Sequence, residues 1–156
     1  LAPFSRAWIP PRSFSETPQF EGSSCLSRER YDYMFQKRLL DEHYRTYGGS
    51  YGWVLAGLRA SRKLMRKENL AKIKVPVLLF AAGHDHMVDN DAIERFAELT
   101  NRTELFFMPD SRHEIFNADE RTRTKYYDEI FRFIKEEEVK DYENKNEQTR
   151  KILGTV

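Results

Sequence analysis

The chain has 156 residues, enough for one ordinary domain, with 40% hydrophobic and 33% charged residues. Its 26 basic and 25 acidic residues nearly cancel, which removes the global electrostatic case for nucleic acid, and a single cysteine, Cys25, excludes an intramolecular disulfide. No apolar run approaches the roughly 20 residues needed to span a bilayer. The opening Leu1-Ala2-Pro3 has neither the charged nor the apolar region of a signal peptide, and a start without methionine fits a chain cut from a longer precursor.

Residues 1–25 form an irregular Pro/Ser-rich stretch, with Pro3, Pro10, Pro11 and Pro18 opposing any helix. Two helices are predicted over 26–69. The first opens near Ser27 as N-cap, places Tyr31, Met34, Phe35 and Leu39 on one face, and stops at Gly48-Gly49. The second starts near Trp53 and carries Val54, Leu58 and Met65 at helical spacing. From Val75 the pattern changes. Pro76 to Ala82 is a continuous apolar run closed by Gly83, as in a parallel strand covered on both faces. A helix follows over Asp91–Thr100, with Ile93, Phe96 and Ala97 inward, and then a short strand, Glu104–Met108, closed by Pro109. A last helix over about 119–137 has Tyr127, Ile130, Phe131 and Ile134 as its stripe and Asn117 as its cap. The charged remainder, 138–156, is either a helical extension or a disordered tail.

Strand, helix, strand, helix over 75–137 is the grammar of a parallel α/β sheet, and two strands cannot form such a sheet alone. In open parallel sheets, ligands and catalytic groups gather outside the carboxyl ends of the strands. Here those ends carry Gly83-His84-Asp85-His86-Met87-Val88-Asp89 and Pro109-Asp110-Ser111-Arg112-His113-Glu114. Asp85 and His113 supply an acid and a base in the order nucleophile, acid, histidine used by α/β-hydrolases. Taken singly, Asp85 is a turn former and His113 a solvated loop residue. Their occurrence at consecutive strand ends, with room for one helix and one strand between, favours a catalytic pair. A metal site at His84, Asp85 and His86 is disfavoured, because alternating residues across a tight turn diverge and no Cys or carboxylate cluster stands nearby. No metal or cofactor is expected.

The acid-bearing segment Pro76–Asn90 resembles that of the lysophospholipase and monoacylglycerol-lipase branch of the α/β-hydrolases, and Ser111-Arg112-His113-Glu114-Ile115 resembles that branch's histidine loop. Leu26–Tyr31 and Gly48–Val54 are similar to the cap of bacterial lysophospholipases of the L-two type, and Leu1-Ala2-Pro3 to the end of the core strand before it. The resemblance implies a C-terminal fragment of an α/β-hydrolase fold: a strand end at 1–3, a mostly helical cap over 4–70, a core with two parallel strands over 71–137, and a charged tail. It also implies Asp85 as triad acid, His113 as base, a serine N-terminal to residue 1, a lipid acyl-ester substrate, and a cytoplasmic location, peripheral on the inner membrane.

One string inside the chain, Gly48-Gly49-Ser50-Tyr51-Gly52, has the spacing of a nucleophile elbow. An elbow needs a buried strand before it, and Asp41-Glu42-His43-Tyr44-Arg45-Thr46-Tyr47 cannot be one, so Ser50 is rejected as nucleophile. The cap segment, 26–70, holds ten Lys/Arg against five acids. Trp53, Leu58, Arg59, Arg62, Lys63 and Met65 make a basic, apolar surface for substrate or an anionic membrane; the alternative is a solvated helix face. Two function classes follow. One is a carboxylic-ester hydrolase, with epoxide hydrolase or peptidase activity as variants on the same scaffold. The other is a non-catalytic lipid- or partner-binding module. An unpaired edge at Val77–Ala82 and apolar surface at Leu78, Phe80, Phe106 and Phe131 predict self-association.

Overall fold

The computed structural model of the chain describes residues 14–46 and 48–153, with side chains as far as residue 148. The strand end expected at Leu1-Ala2-Pro3 lies outside the described residues. In order, the elements are α1 (Arg28–Leu40), a 3-10 turn (Glu42–Tyr44), α2 (Tyr51–Leu64), α3 (Lys67–Leu70), β1 (Val77–Ala82), α4 (Asn90–Glu98), β2 (Thr103–Met108), a second 3-10 turn (Ile115–Asn117) and α5 (Glu120–Leu153). The fold is α/β: two parallel strands with flanking helices.

Register runs from Val77 opposite Thr103 to Ala82 opposite Met108. Alternation along the strands puts Phe80, Ala82, Phe106 and Met108 on one face, where they cluster with Ile115 and Tyr126. The Phe80 and Tyr126 rings lie 4.6 Å apart, so the first turns of α5 cover this face. Burying Met108 alone stabilises the fold by about 1.5–3 kcal/mol. Ile93, Phe96 and Ala97 of α4 are half-buried, as their spacing predicts. Among the described residues β1 pairs only with β2, which leaves its other edge without a strand, while α5 and α4 both pack on the sheet. Leu78, Phe80 and Phe106 are nevertheless half-buried, a correction to the expected apolar surface; the exposed rings are Phe131 (66%) and Phe107 (51%).

Side-chain hydrogen bonds decide several helix ends. Ser27 caps α1 by accepting from the Arg30 amide. That helix ends at Leu40, well before the glycines, because Asp41 turns the chain: its carboxylate accepts from the His43 amide at 2.9 Å. Arg45 then covers the last carbonyls of α1, donating to Arg38 and Leu39 at 2.7 and 3.1 Å. Gly48 follows at φ +78°, a conformation that disfavours any side chain.

The cap of α5 is Asp119, not Asn117. Its carboxylate accepts from the amide and hydroxyl of Thr122 at 3.0 and 2.9 Å, whereas Asn117 is drawn away to Arg30 and Glu114. The inward stripe is also turned by one residue. Tyr126, Ile130 and Phe133 are half-buried, while Tyr127, Phe131 and Ile134 are exposed. Both rows are apolar at helical spacing, and only packing against Phe80 selects between them. Helix continues to Leu153, so the charged remainder is mainly a helical extension. Arg132 ties it to the sheet, bonding Glu104 of β2 as well as Glu129 and Glu136.

Candidate active site

Both loops begin where the strand ladder ends. The Gly83 amide extends the ladder to the Met108 carbonyl at 2.9 Å, and the His84 amide donates to the Ser111 carbonyl at 2.9 Å. Ser111 is fully buried, its hydroxyl returned to the Met108 carbonyl. Glycine is required at 83 by crowding: a Cβ there would sit 2.8 Å from Pro109 Cα and closer still to its carbonyl. The two loops therefore leave the sheet in contact, one residue before the acid and two before the histidine.

Asp85 Oδ2 lies 2.9 Å from His113 Nδ1. The other carboxylate oxygen, Oδ1, accepts from the amides of Met87 and Val88 at 2.8 and 3.0 Å. Burial pushes the Asp85 carboxyl up, but the His113 bond and these two amides outweigh it and hold its pKa below the ordinary value. The side chain of Asp85 is 5% exposed and that of His113 is 39%. So the carboxylate is a sheltered acceptor, while the imidazole stays open on its far side.

A third segment locks this pair. Residues 20–25 pass over the histidine loop, and Arg112 Nη1 donates to the carbonyls of Phe20, Ser23 and Cys25 at 3.3, 3.0 and 3.4 Å. The Glu114 amide donates to the Ser24 carbonyl at 3.0 Å. His113 is thus held on both sides. Ser24 also reaches the acid loop, its hydroxyl 3.0 Å from Met87 Sδ. Cys25 is buried with its thiol bonded to the carbonyls of Ser27 and Asn117, and burial pushes that thiol's pKa up. The sequence reading missed this strap. Its partners stand 87 to 92 residues apart, and no local pattern marks them.

The remaining candidates fall elsewhere. Ser50 caps α2, accepting from the Trp53 amide at 3.1 Å, and no strand precedes it among the described residues. Trp53, Leu58, Arg59, Arg62 and Lys63 are exposed along α2, whereas Met65 is half-buried at its C-cap, turned from the surface expected of it. An open cleft of about 620 Å³ beside the pair is lined by Glu21, Leu26, His84, Asp85, His86 and Arg112. No group of three His, Cys, Asp or Glu among the described residues is placed to hold a metal.

With this geometry in hand, one family match decides the placement: the family described as serine aminopeptidase, S33, matches residues 9–120. The chain belongs to that family of α/β-hydrolases. The match spans the strap, both strands and both site loops, and ends where α5 begins. In α/β-hydrolases the acid and histidine of a triad follow the nucleophile in chain order, and Asp85 precedes His113 in this chain. Searches among curated proteins and among solved structures gave no match.

Proposed function

We propose that the chain supplies the acid and base of a Ser-His-Asp carboxylic-ester hydrolase acting on lysophospholipids. The observation carrying this reading is the Asp85–His113 hydrogen bond at the carboxyl ends of adjacent parallel strands. The carboxylate accepts a hydrogen bond from Nδ1–H and so leaves the Nε2 lone pair free. A serine hydroxyl brought to Nε2 from outside the described residues gives up its proton as Oγ attacks the acyl carbon. The imidazolium, stabilised by Asp85, then protonates the departing glycerol oxygen, and water releases the fatty acid by the same steps in reverse order. The exposed Trp53 and Leu58 beside Arg59, Arg62 and Lys63 support a surface that meets lipid aggregates or an anionic membrane. No helix among the described residues is long and apolar enough to cross a membrane.

The test is fatty-acid release from lysophosphatidylcholine by a polypeptide uniting this chain with a Gly-x-Ser-x-Gly elbow. Histidine-to-alanine replacement at 113 should lower kcat by roughly six orders of magnitude. A second reading, peptide hydrolysis, draws on the family's description and on Glu21, a carboxylate in the cleft suited to a substrate ammonium group. Cleavage of aminoacyl anilides with lysophosphatidylcholine left intact would favour it.

A further inference from the structure

A second cleft lies on the other side of the strap, between α1 and the Ile115–Asn117 turn. Its volume is about 460 Å³. Two guanidinium groups line it, Arg30 and Arg38, at positions eight apart on α1 with Met34 between them. The apolar part of the lining comes from Tyr31, Met34 and Phe116, and Phe116 is 53% exposed.

The polar groups are unevenly satisfied. Arg30 Nε is fixed on Asn117 Oδ1 at 2.9 Å, so its charge is anchored at the cleft wall. Arg38 Nε is enclosed and has no hydrogen-bond partner among the described residues. An enclosed donor without an acceptor costs free energy unless a ligand supplies one. Glu114, the one carboxylate of the lining, accepts from Asn117 Nδ2 at 3.0 Å. Two cations against one engaged anion leave the cleft net positive. A planar guanidinium with an unused N–H is suited to a phosphate oxyanion.

We infer that this cleft binds the phosphate of a single-chain amphiphile, with Arg38 as the main donor, Arg30 as the second charge, and the alkyl chain along Met34 and Phe116. The cleft carries the phosphate assignment by itself. The choice of a lysophospholipid as the amphiphile rests on the esterase reading, the cleft being joined to the histidine loop through Glu114, the residue after His113.

The experiment is calorimetric titration of the 156-residue chain with three ligands: a short-chain lysophosphatidate below its micelle threshold, the monoacylglycerol of the same chain length, and inorganic phosphate. Lysophosphatidate should bind at least about tenfold more tightly than monoacylglycerol, the scale of one charge-assisted hydrogen bond, and phosphate should compete with it weakly. In R38M, which has no N–H at that position, the preference should disappear. Arg38 Nε has no hydrogen-bond partner among the described residues, so R38M should keep the thermal melt of the parent. If it does not, R38K serves, and should lose most of the preference because a lysine has no N–H at that enclosed position. Equal binding of the two lipids, or a preference that survives R38M in a folded protein, overturns the inference. Phosphate binding as tightly as lysophosphatidate overturns the amphiphile and leaves a site for the free anion. Failure of the hydrolysis assay with this binding intact counts against the esterase reading, not against the cleft.

Discussion

Asparagine at position 85 should reverse the tautomer of His113. The two oxygens of Asp85 have different duties: Oδ1 accepts from two backbone amides, and Oδ2 accepts from the imidazole. In D85N one of these atoms becomes an NH2 group. If the amide oxygen faced His113, the Met87 and Val88 amides would both lose their acceptor. Each loss costs about 1–3 kcal/mol, so that orientation is disfavoured by roughly 2–6 kcal/mol. The oxygen therefore stays on the amides and the NH2 points at Nδ1, which must then accept. The imidazole proton moves to Nε2, where a base needs a lone pair. Even ~2 kcal/mol keeps more than about nine-tenths of molecules in this form. Nitrogen-15 spectra of the imidazoles at mildly alkaline pH read the tautomer directly, with His113 assigned from an H113Q sample. The parent should show Nδ1 protonated, and D85N should show Nε2 protonated. In a polypeptide that also carries the serine, kcat should fall by about 10⁴. A D85N protein that keeps its proton on Nδ1 would refute both the division of labour between the oxygens and Asp85 as the orienting acid.

Alanine at Gly83 should destabilise the chain by about 1–3 kcal/mol in urea unfolding, since the new methyl meets the backbone of Pro109 rather than a mobile side chain. Replacing Ser50 by alanine should cost about 0.5–2 kcal/mol through loss of the α2 cap. A fluorophosphonate should label neither that variant nor the parent chain, and stoichiometric labelling of Ser50 would make the cap string a true elbow. Acid stability follows the sign of the Asp85 shift: a depressed carboxyl contributes stability in full above its ordinary value of 3.8 and loses it as pH falls through the lower folded value. The urea midpoint should accordingly fall less steeply below pH 3.8 in D85N than in the parent. Sedimentation at micromolar concentration should show self-association, driven by exposed Phe107 and Phe131 and the unpartnered strand edge; a clean monomer would contradict it.

What the sequence made legible has a physical boundary. Both strands, α4 and the Ser27 cap follow from signals spanning a few residues: an apolar run, a 3.6-residue period, a hydroxyl before a helix. The meeting of Asp85 and His113 was legible too, because parallel pairing of consecutive strands makes their C-terminal loops neighbours whatever the loops contain. Features set by competition between equal local choices were not. Two apolar rows of α5 could each have faced the sheet, and Tyr126 against Phe80 decided it. Asn117 and Asp119 are both good caps, and Asn117 was taken by Arg30. The end of α1 turned on Asp41, whose side chain offers the backbone an alternative partner seven residues before Gly48.

Asp85 and His113 are both positioned by elements within the described residues. Three constraints converge on the pair: the strand ladder sets the spacing of the loops, the Met87 and Val88 amides aim the carboxylate, and the strap pins His113 from both sides. Each uses backbone groups, whose positions vary less than those of long side chains. Arg112 is the exception, yet its three acceptors are carbonyls of one short loop, so it can shift only with that loop. Because the strap belongs to the segment that leads into α1, any displacement of α1 is transmitted through Cys25 and Ser24 to the residues flanking His113. Occupation of the Arg30–Arg38 cleft would therefore act on the same loop that holds the base, and substrate binding and imidazole orientation become properties of one connected backbone rather than of two separate sites.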